Sequence, residues 1–288
     1  MRFGSLTLRI FTPKNPGLRL TTFLLAAVAV GLLGQSFAPA RAQNPDTLMP
    51  EQSTARAKQI LQETVDALGG AAYLDARDRE ATARLSSFMH SGDLGGFTVV
   101  HDLWRYPDKH RTEYYKKENV IDVYNGKQAW TMDRAGVHDL PEDAGVEFQE
   151  SLRRSLDFLL RYRMKEEGLT FRYAGNEIVD LRPVVFVDVT DKAQRTMRIA
   201  IDRMTHLPVR STVSWRDPAT HDHMDETTVF SNWHAINGVQ IPFQTTRERN
   251  GRKFYQLFLD ECKYNSGLAD ALFTRESLEA RWKQIGKK

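Results

Sequence analysis

From about residue 80 onward the hydrophobic period of this chain is two, not 3.6, and it stays two for most of the remaining length. Strand-like segments fall near 80–91, 96–106, 110–117, 119–124 and 127–133, and then near 169–175, 183–190, 195–202, 208–216, 224–235, 239–247 and 252–263. Turn chemistry separates them, at Gly92-Asp93 with Gly95-Gly96, at Pro107-Asp108 and Asp217-Pro218, and at the Asn-Gly pairs 125–126, 237–238 and 250–251. An Asn-Gly pair takes positive φ cheaply and so closes tight hairpins. Strands joined by hairpins pair antiparallel, whereas a parallel sheet needs a long crossover after every strand. The pattern therefore disfavours a parallel sheet with crossover helices.

Two substantial helices interrupt this pattern. Ala57, Ile60, Leu61, Thr64, Val65 and Leu68 share one face of a helix over about 52–68, which Gly69-Gly70 ends. A second helix is expected over 142–167, with Phe148, Leu152, Leu156, Leu159 and Leu160 as its apolar stripe. A short amphipathic helix closes the chain near Arg275 to Gln284. The expectation is an α+β protein built on a single large curled antiparallel sheet. About 11 strands would form a half-open barrel, with helices covering its concave face. Alternation then places Met197, Ile199 and Ile201 on one strand, and Val213 and Trp215 on the next, toward the inside.

Residues 1–42 carry Arg2, Arg9, Lys14, Arg19 and Arg41 and no acidic residue. The 14 residues Leu20 to Leu33 are apolar, and Ala40-Arg41-Ala42 follows them. A positive stretch, an apolar run too short to span a bilayer and a small-x-small site read as a cleaved secretory signal. Residues 43–288 would then form one exported domain, not lipidated and monomeric. That part holds 35 basic and 37 acidic residues, so it lacks the basic surplus of a nucleic-acid-binding surface. Cys262 is the only cysteine, which leaves no intramolecular disulfide and makes the core the source of stability.

Nothing in the sequence matches a phosphate-binding loop, a dinucleotide fingerprint, a nucleophile elbow or a zincin helix. His221, His223 and Asp225 would share one strand face and offer a metal three N/O ligands, which supports an alternative reading as an exported metal-dependent hydrolase. Their place at a hairpin tip favours a solvated loop instead. No catalytic residue and no cofactor is assigned. Aromatic residues are spread over the strands, and most serve packing.

The motifs Arg105-Tyr106-Pro107-Asp108-Lys109-His110-Arg111, Tyr124-Asn125-Gly126-Lys127-Gln128-Ala129-Trp130, Ile199-Ala200-Ile201-Asp202 and Asn237-Gly238-Val239-Gln240-Ile241-Pro242 occur in the order helix, strands, helix, strands. Together they resemble the outer-membrane lipoprotein-sorting family, whose fold is LolA/LolB-like, and the resemblance extends over most of residues 51–265. The resemblance implies an unclosed β-barrel lidded by helices that carries a lipid or lipoprotein acyl chain through the periplasm without catalysis. Inner- and outer-membrane transport proteins are further candidate partners, and envelope-stress sensing is an alternative role of the same fold. The acyl-contact set expected on this basis is Val99, Leu103, Trp130, Phe148, Leu152, Leu156, Leu159, Met197, Ile199, Ile201, Val213 and Trp215.

Overall fold

The computed structural model describes residues 47–115, 120–217 and 220–285. The expected signal segment, residues 1–42, lies outside them, and the described residues all belong to one compact unit. None of the described helices is long and apolar enough to cross a membrane.

A single antiparallel sheet of 13 strands dominates the molecule. Its first half is a meander of β1 (Asp78–Phe88), β2 (Leu94–Arg105), β3 (Lys109–Tyr114), β4 (Val120–Asn125), β5 (Gln128–Asp133) and β6 (Gly136–Asp139). Its second half runs β7 (Thr170–Val179), β8 (Arg182–Thr190), β9 (Thr196–Asp202), β10 (Pro208–Arg216), β11 (His223–Ile236), β12 (Val239–Arg249) and β13 (Arg252–Tyr264). The last strand pairs with the first, so the order across the sheet is β6-β5-β4-β3-β2-β1-β13-β12-β11-β10-β9-β8-β7. β6 and β7, consecutive in the chain, therefore end up on opposite edges, and the sheet does not close. The four-residue β6 is too short to carry an alternation signal and was not expected.

The link between those edges is the helical segment over the concave side. It was expected as one helix over 142–167 but is broken: α3 spans Glu142–Arg153, α4 is the single turn Leu156–Phe158, and a π-helical turn follows over Leu159–Arg163. Ser155 causes the break. Its backbone is extended and its Oγ accepts from Phe158 N, as serine does at the start of a helix. Gly145 seats α3, since a Cβ there would lie 1.7 Å from the carbonyl oxygen of Lys127 in the β4–β5 turn. Any side chain at 145 must lift the helix off that hairpin.

The N-terminal α1 (Pro50–Ala67), followed by the short α2 (Ala71–Leu74), covers a different part of the sheet. Its stripe of Ala57, Ile60, Leu61 and Val65 is buried against Phe171, Val187, Ile199 and Ile201 from β7 to β9. The free edge of β7 is also covered: Tyr173 N donates to Ser53 Oγ (3.0 Å), and Thr54 Oγ1 donates to Phe171 O (3.0 Å). Those bonds replace the missing neighbour strand and block edge-to-edge pairing.

The C-terminal segment departs from the expectation that helices lie on the concave side. Residues 270–273 and α5 (Arg275–Ile285) pack on the outer face of β2–β5, against Leu103, Ile121, Val123 and Met132. Arg111, buried in the same row, donates to Leu272 O (3.0 Å) and Ser277 Oγ (3.2 Å). Phe273 and Leu278 are fully buried there. Replacing Phe273 by alanine should cost about 3–5 kcal/mol in a urea or guanidinium melt, because the outer face has no other cover to collapse into the void.

Candidate functional site

The concave face is divided. Under α1 it is solid core, and Ile199 and Ile201 have no accessible surface. Under α3 and α4 it is hollow: a cavity of about 520 Å³ lies between the lid and strands β1–β3 and β11–β13. That size falls in the range of small-molecule and cofactor sites. Leu156 and Phe158 line it from above, Val100 and Leu85 from the first half-sheet, and Phe230, Trp233, Ile241 and Leu257 from the second. Hydroxyls of Ser151, Ser155, Thr228 and Thr245 break the apolar lining.

Three expected contact residues, Phe148, Leu152 and Leu156, border this cavity. Leu159, Met197 and Val213 border a void of only about 20 Å³ beside it, too small for a ligand group. Trp215 is half-buried against the main core, with the Arg154 guanidinium 5.1 Å above its ring. Val99, Leu103 and Trp130 lie elsewhere. Leu103, Arg111, Val123 and Trp130 are successive cross-strand partners that form one row on the outer face, beneath the C-terminal segment. On β2 the cavity takes the alternate residues Val100, Asp102 and Trp104.

An aromatic and ionic wall that the sequence did not single out closes one end. Cross-strand pairing aligns Trp104, His110 and Tyr124. The Trp104 and His110 rings stack at 4.0 Å, and Phe148 descends from α3 to stack on Tyr124 at 4.6 Å. Behind them, Asp102 accepts from Trp104 Nε1 (3.0 Å), His110 Nε2 (2.7 Å) and the Arg79 guanidinium. Burial would raise the Asp102 carboxyl, but the neighbouring His110 and Arg79 outweigh it and hold the group well below the usual carboxylate range. A second set ties the lid to α2. Tyr73 OH donates to Asp157 Oδ1 (2.8 Å), Arg161 Nε bonds the same carboxylate (2.9 Å), and its guanidinium stacks on Tyr73 and Tyr106 at 3.9 and 4.6 Å. Burial drives the phenols of Tyr73 and Tyr106 far above their normal range, so both stay neutral, Tyr73 as the donor to Asp157.

The lid is held at its far end as well. Buried Arg163 bonds Glu166 (2.6 Å), the Arg153 carbonyl (2.7 Å) and Asp191 (3.3 Å). These contacts fix the base of the lid, while Phe148 to Phe158 spans the hollow.

The alternative metal reading finds no support in the geometry. Among the described residues no group of three or more His, Cys, Asp or Glu side chains could hold a metal ion. His223 and Asp225 form a simple ion pair at 3.0 Å, and His221 lies in the preceding turn with positive φ. Cys262 is half-buried beside the core, and burial raises its thiol, as expected of a packing residue.

Two solved structures match this architecture across nearly their whole length. A DUF1329 family protein from Desulfovibrio piger aligns over 77% of this chain and 98% of its own, with a TM-score of 0.55 and 16% identity. An outer membrane lipoprotein-sorting protein domain from Vibrio parahaemolyticus aligns over 78% and 99%, with a TM-score of 0.53 and 12% identity. The chain has a LolA-like fold. A LolA superfamily protein from Nitrosomonas europaea aligns over 77% and 99% at 13% identity, with a TM-score of 0.48. The sequence matches no family model and no curated protein. At these identities the LolA-like architecture is what the chains share.

Proposed function

We propose that the protein is a non-catalytic carrier that shields a lipid or lipoprotein acyl chain in the lidded half of its sheet as the chain crosses the periplasm. The observation that carries this reading is the hollow of about 520 Å³ under α3 and α4, in a sheet whose other half is fully packed. A sheet packed only for stability would cover apolar walls such as Phe230, Ile241 and Leu257 instead of leaving them facing an unfilled hollow, and a concave apolar surface with a few polar groups is the usual form of a ligand site. Burial provides the affinity. At ~0.8 kcal/mol per methylene removed from water, part of a 14–16-carbon chain is enough for about micromolar binding. The export signal expected in residues 1–42 and the likeness to a lipoprotein-sorting domain support the same reading. Loading and release would need α3 and α4 to swing about the anchored Arg163 end.

The test is to purify the protein from cell envelopes, extract it for native mass spectrometry, and titrate the delipidated protein with a fluorescent fatty acyl probe. The expected result is co-purified lipid and saturable uptake. Finding neither lipid nor uptake rejects the carrier role.

A further inference from the structure

Charge is distributed unevenly around the cavity. At the aromatic end, Asp102 is matched by Arg79 and Asp157 by Arg161, so each acid already has its own guanidinium. At the other end three arginines, Arg154, Arg247 and Arg249, surround one carboxylate, Glu226, whose side chain is only 3% exposed. Arg154 and Arg247 both line the cavity. Arg154 is 91% buried, and its Nε lies 3.9 Å from Glu226 Oε2, beyond hydrogen-bond reach. Among the described residues its other carboxylate partner is Glu147, which accepts from Arg154 Nη2 on the exposed side of the lid. The Nε atoms of Arg154 and Arg247 are both buried without a hydrogen-bond acceptor, as are Arg79 Nε and Arg161 Nη2 at the aromatic end, so it is the excess of guanidinium over carboxylate that sets this end apart. Desolvated guanidinium donors of this kind are costly unless an acceptor reaches them.

Register explains why they converge. Val213 faces Glu226 across β10–β11, Glu226 faces Arg249 across β11–β12, and Thr228 faces Arg247 two pairs further along. These side chains therefore share the concave face. Arg247 is braced by the rings of Phe254 and Tyr255, whose hydroxyl also accepts from Arg247 Nη1 (3.4 Å), and Arg154 is braced by Trp215, which leaves the Nε donor of each guanidinium free. The hydroxyls of Thr228 and Thr245 add neutral donors beside them.

We propose that Arg154 and Arg247 form an anion seat, so that the amphiphile bound in the cavity carries a carboxylate or phosphate head rather than a neutral one. The proposal rests on the acyl-binding reading and specifies the ligand class. The hydrocarbon lies toward Phe230 and Ile241, and the head meets the two guanidinium groups, which complement planar oxyanions bidentately.

The test is competition at pH 8, in which hexadecanoate, hexadecyl phosphate and hexadecanol displace a neutral fluorescent acyl ester from the protein. Both anions should bind at least about tenfold more tightly than the alcohol, the effect of one charge-assisted hydrogen bond. If one anion alone shows the preference, the head is that anion. In the Arg154→Gln/Arg247→Gln variant the ratio of anion to hexadecanol affinity, both measured on that variant, should fall to about one. The Arg154→Lys/Arg247→Lys variant keeps the charge and should retain part of the preference, which separates recognition from a folding defect. Equal binding of all three competitors overturns the anion seat and leaves the acyl-binding reading intact, as does a preference that survives in the glutamine variant. Failure of the ester itself to bind overturns both.

Discussion

Replacing Asp102 by alanine is expected to destabilise the protein by about 3–5 kcal/mol, measured as a shift in denaturation midpoint at constant m-value. The carboxylate joins Arg79, Trp104 and His110, and is 7% exposed. Its removal leaves a buried guanidinium without a counter-charge and an indole N–H without an acceptor. Acid should reproduce the loss. The folded-state pKa of Asp102 is depressed, so its contribution is complete above the unfolded carboxylate pKa of about 3.9 and is lost as pH falls through the folded value. Between pH 7 and pH 2 the wild-type protein should therefore lose stability faster than Asp102→Ala, and the two curves should converge. Curves that stay parallel would mean that the buried pair does little for the fold.

Replacing Thr228 by tryptophan should abolish most acyl uptake without unfolding the protein. Thr228 projects from β11 into the hollow, so an indole there occupies space otherwise available to ligand. Excluding only two or three methylenes at ~0.8 kcal/mol each costs about 2 kcal/mol, more than tenfold in affinity. The control is its neighbour Thr212→Trp, because Thr212 pairs with Thr227 on the opposite face of the sheet. That variant should bind the acyl probe as the wild type does. Equal loss in both variants would place the ligand outside this cavity.

The sheet was legible in the sequence because hairpins leave local signals. Asn237-Gly238 and Asn250-Gly251 take the positive φ angles that tight turns need, and the strands on either side pair as their alternation requires. Asp202 caps its turn by accepting from Met204 N and Thr205 N, a role readable from its place before a Pro-ended loop. The cavity was less legible, and β2 shows why. Alternation tells inside from outside only when one face is wet, but β2 is covered on both faces, by the lid on one and the C-terminal segment on the other. Its apolar Leu103 therefore lies on the outer face while charged Asp102 lies inside. Polarity inverts the usual parity argument at that strand. His110 likewise gave no signal alone, since its partners Trp104 and Asp102 come from a neighbouring strand and Phe148 from the lid. On β9, where the outer face carries only the small Ala200 between Arg198 and Asp202, Met197, Ile199 and Ile201 lie inside together, though in packed core and not the hollow.

The pairing of β1 with β13 has a consequence for how the molecule assembles. Each half-sheet is a local meander that can zip up as it is made, but the seam between them joins residues such as Arg79 and Tyr264, at opposite ends of the domain. Closing so large a loop is entropically slow, so the seam should be the late step of folding. Until the final strand arrives, β1 and β12 both present unsatisfied backbone edges, and a nascent or truncated chain ending before residue 252 would be open to aggregation along them.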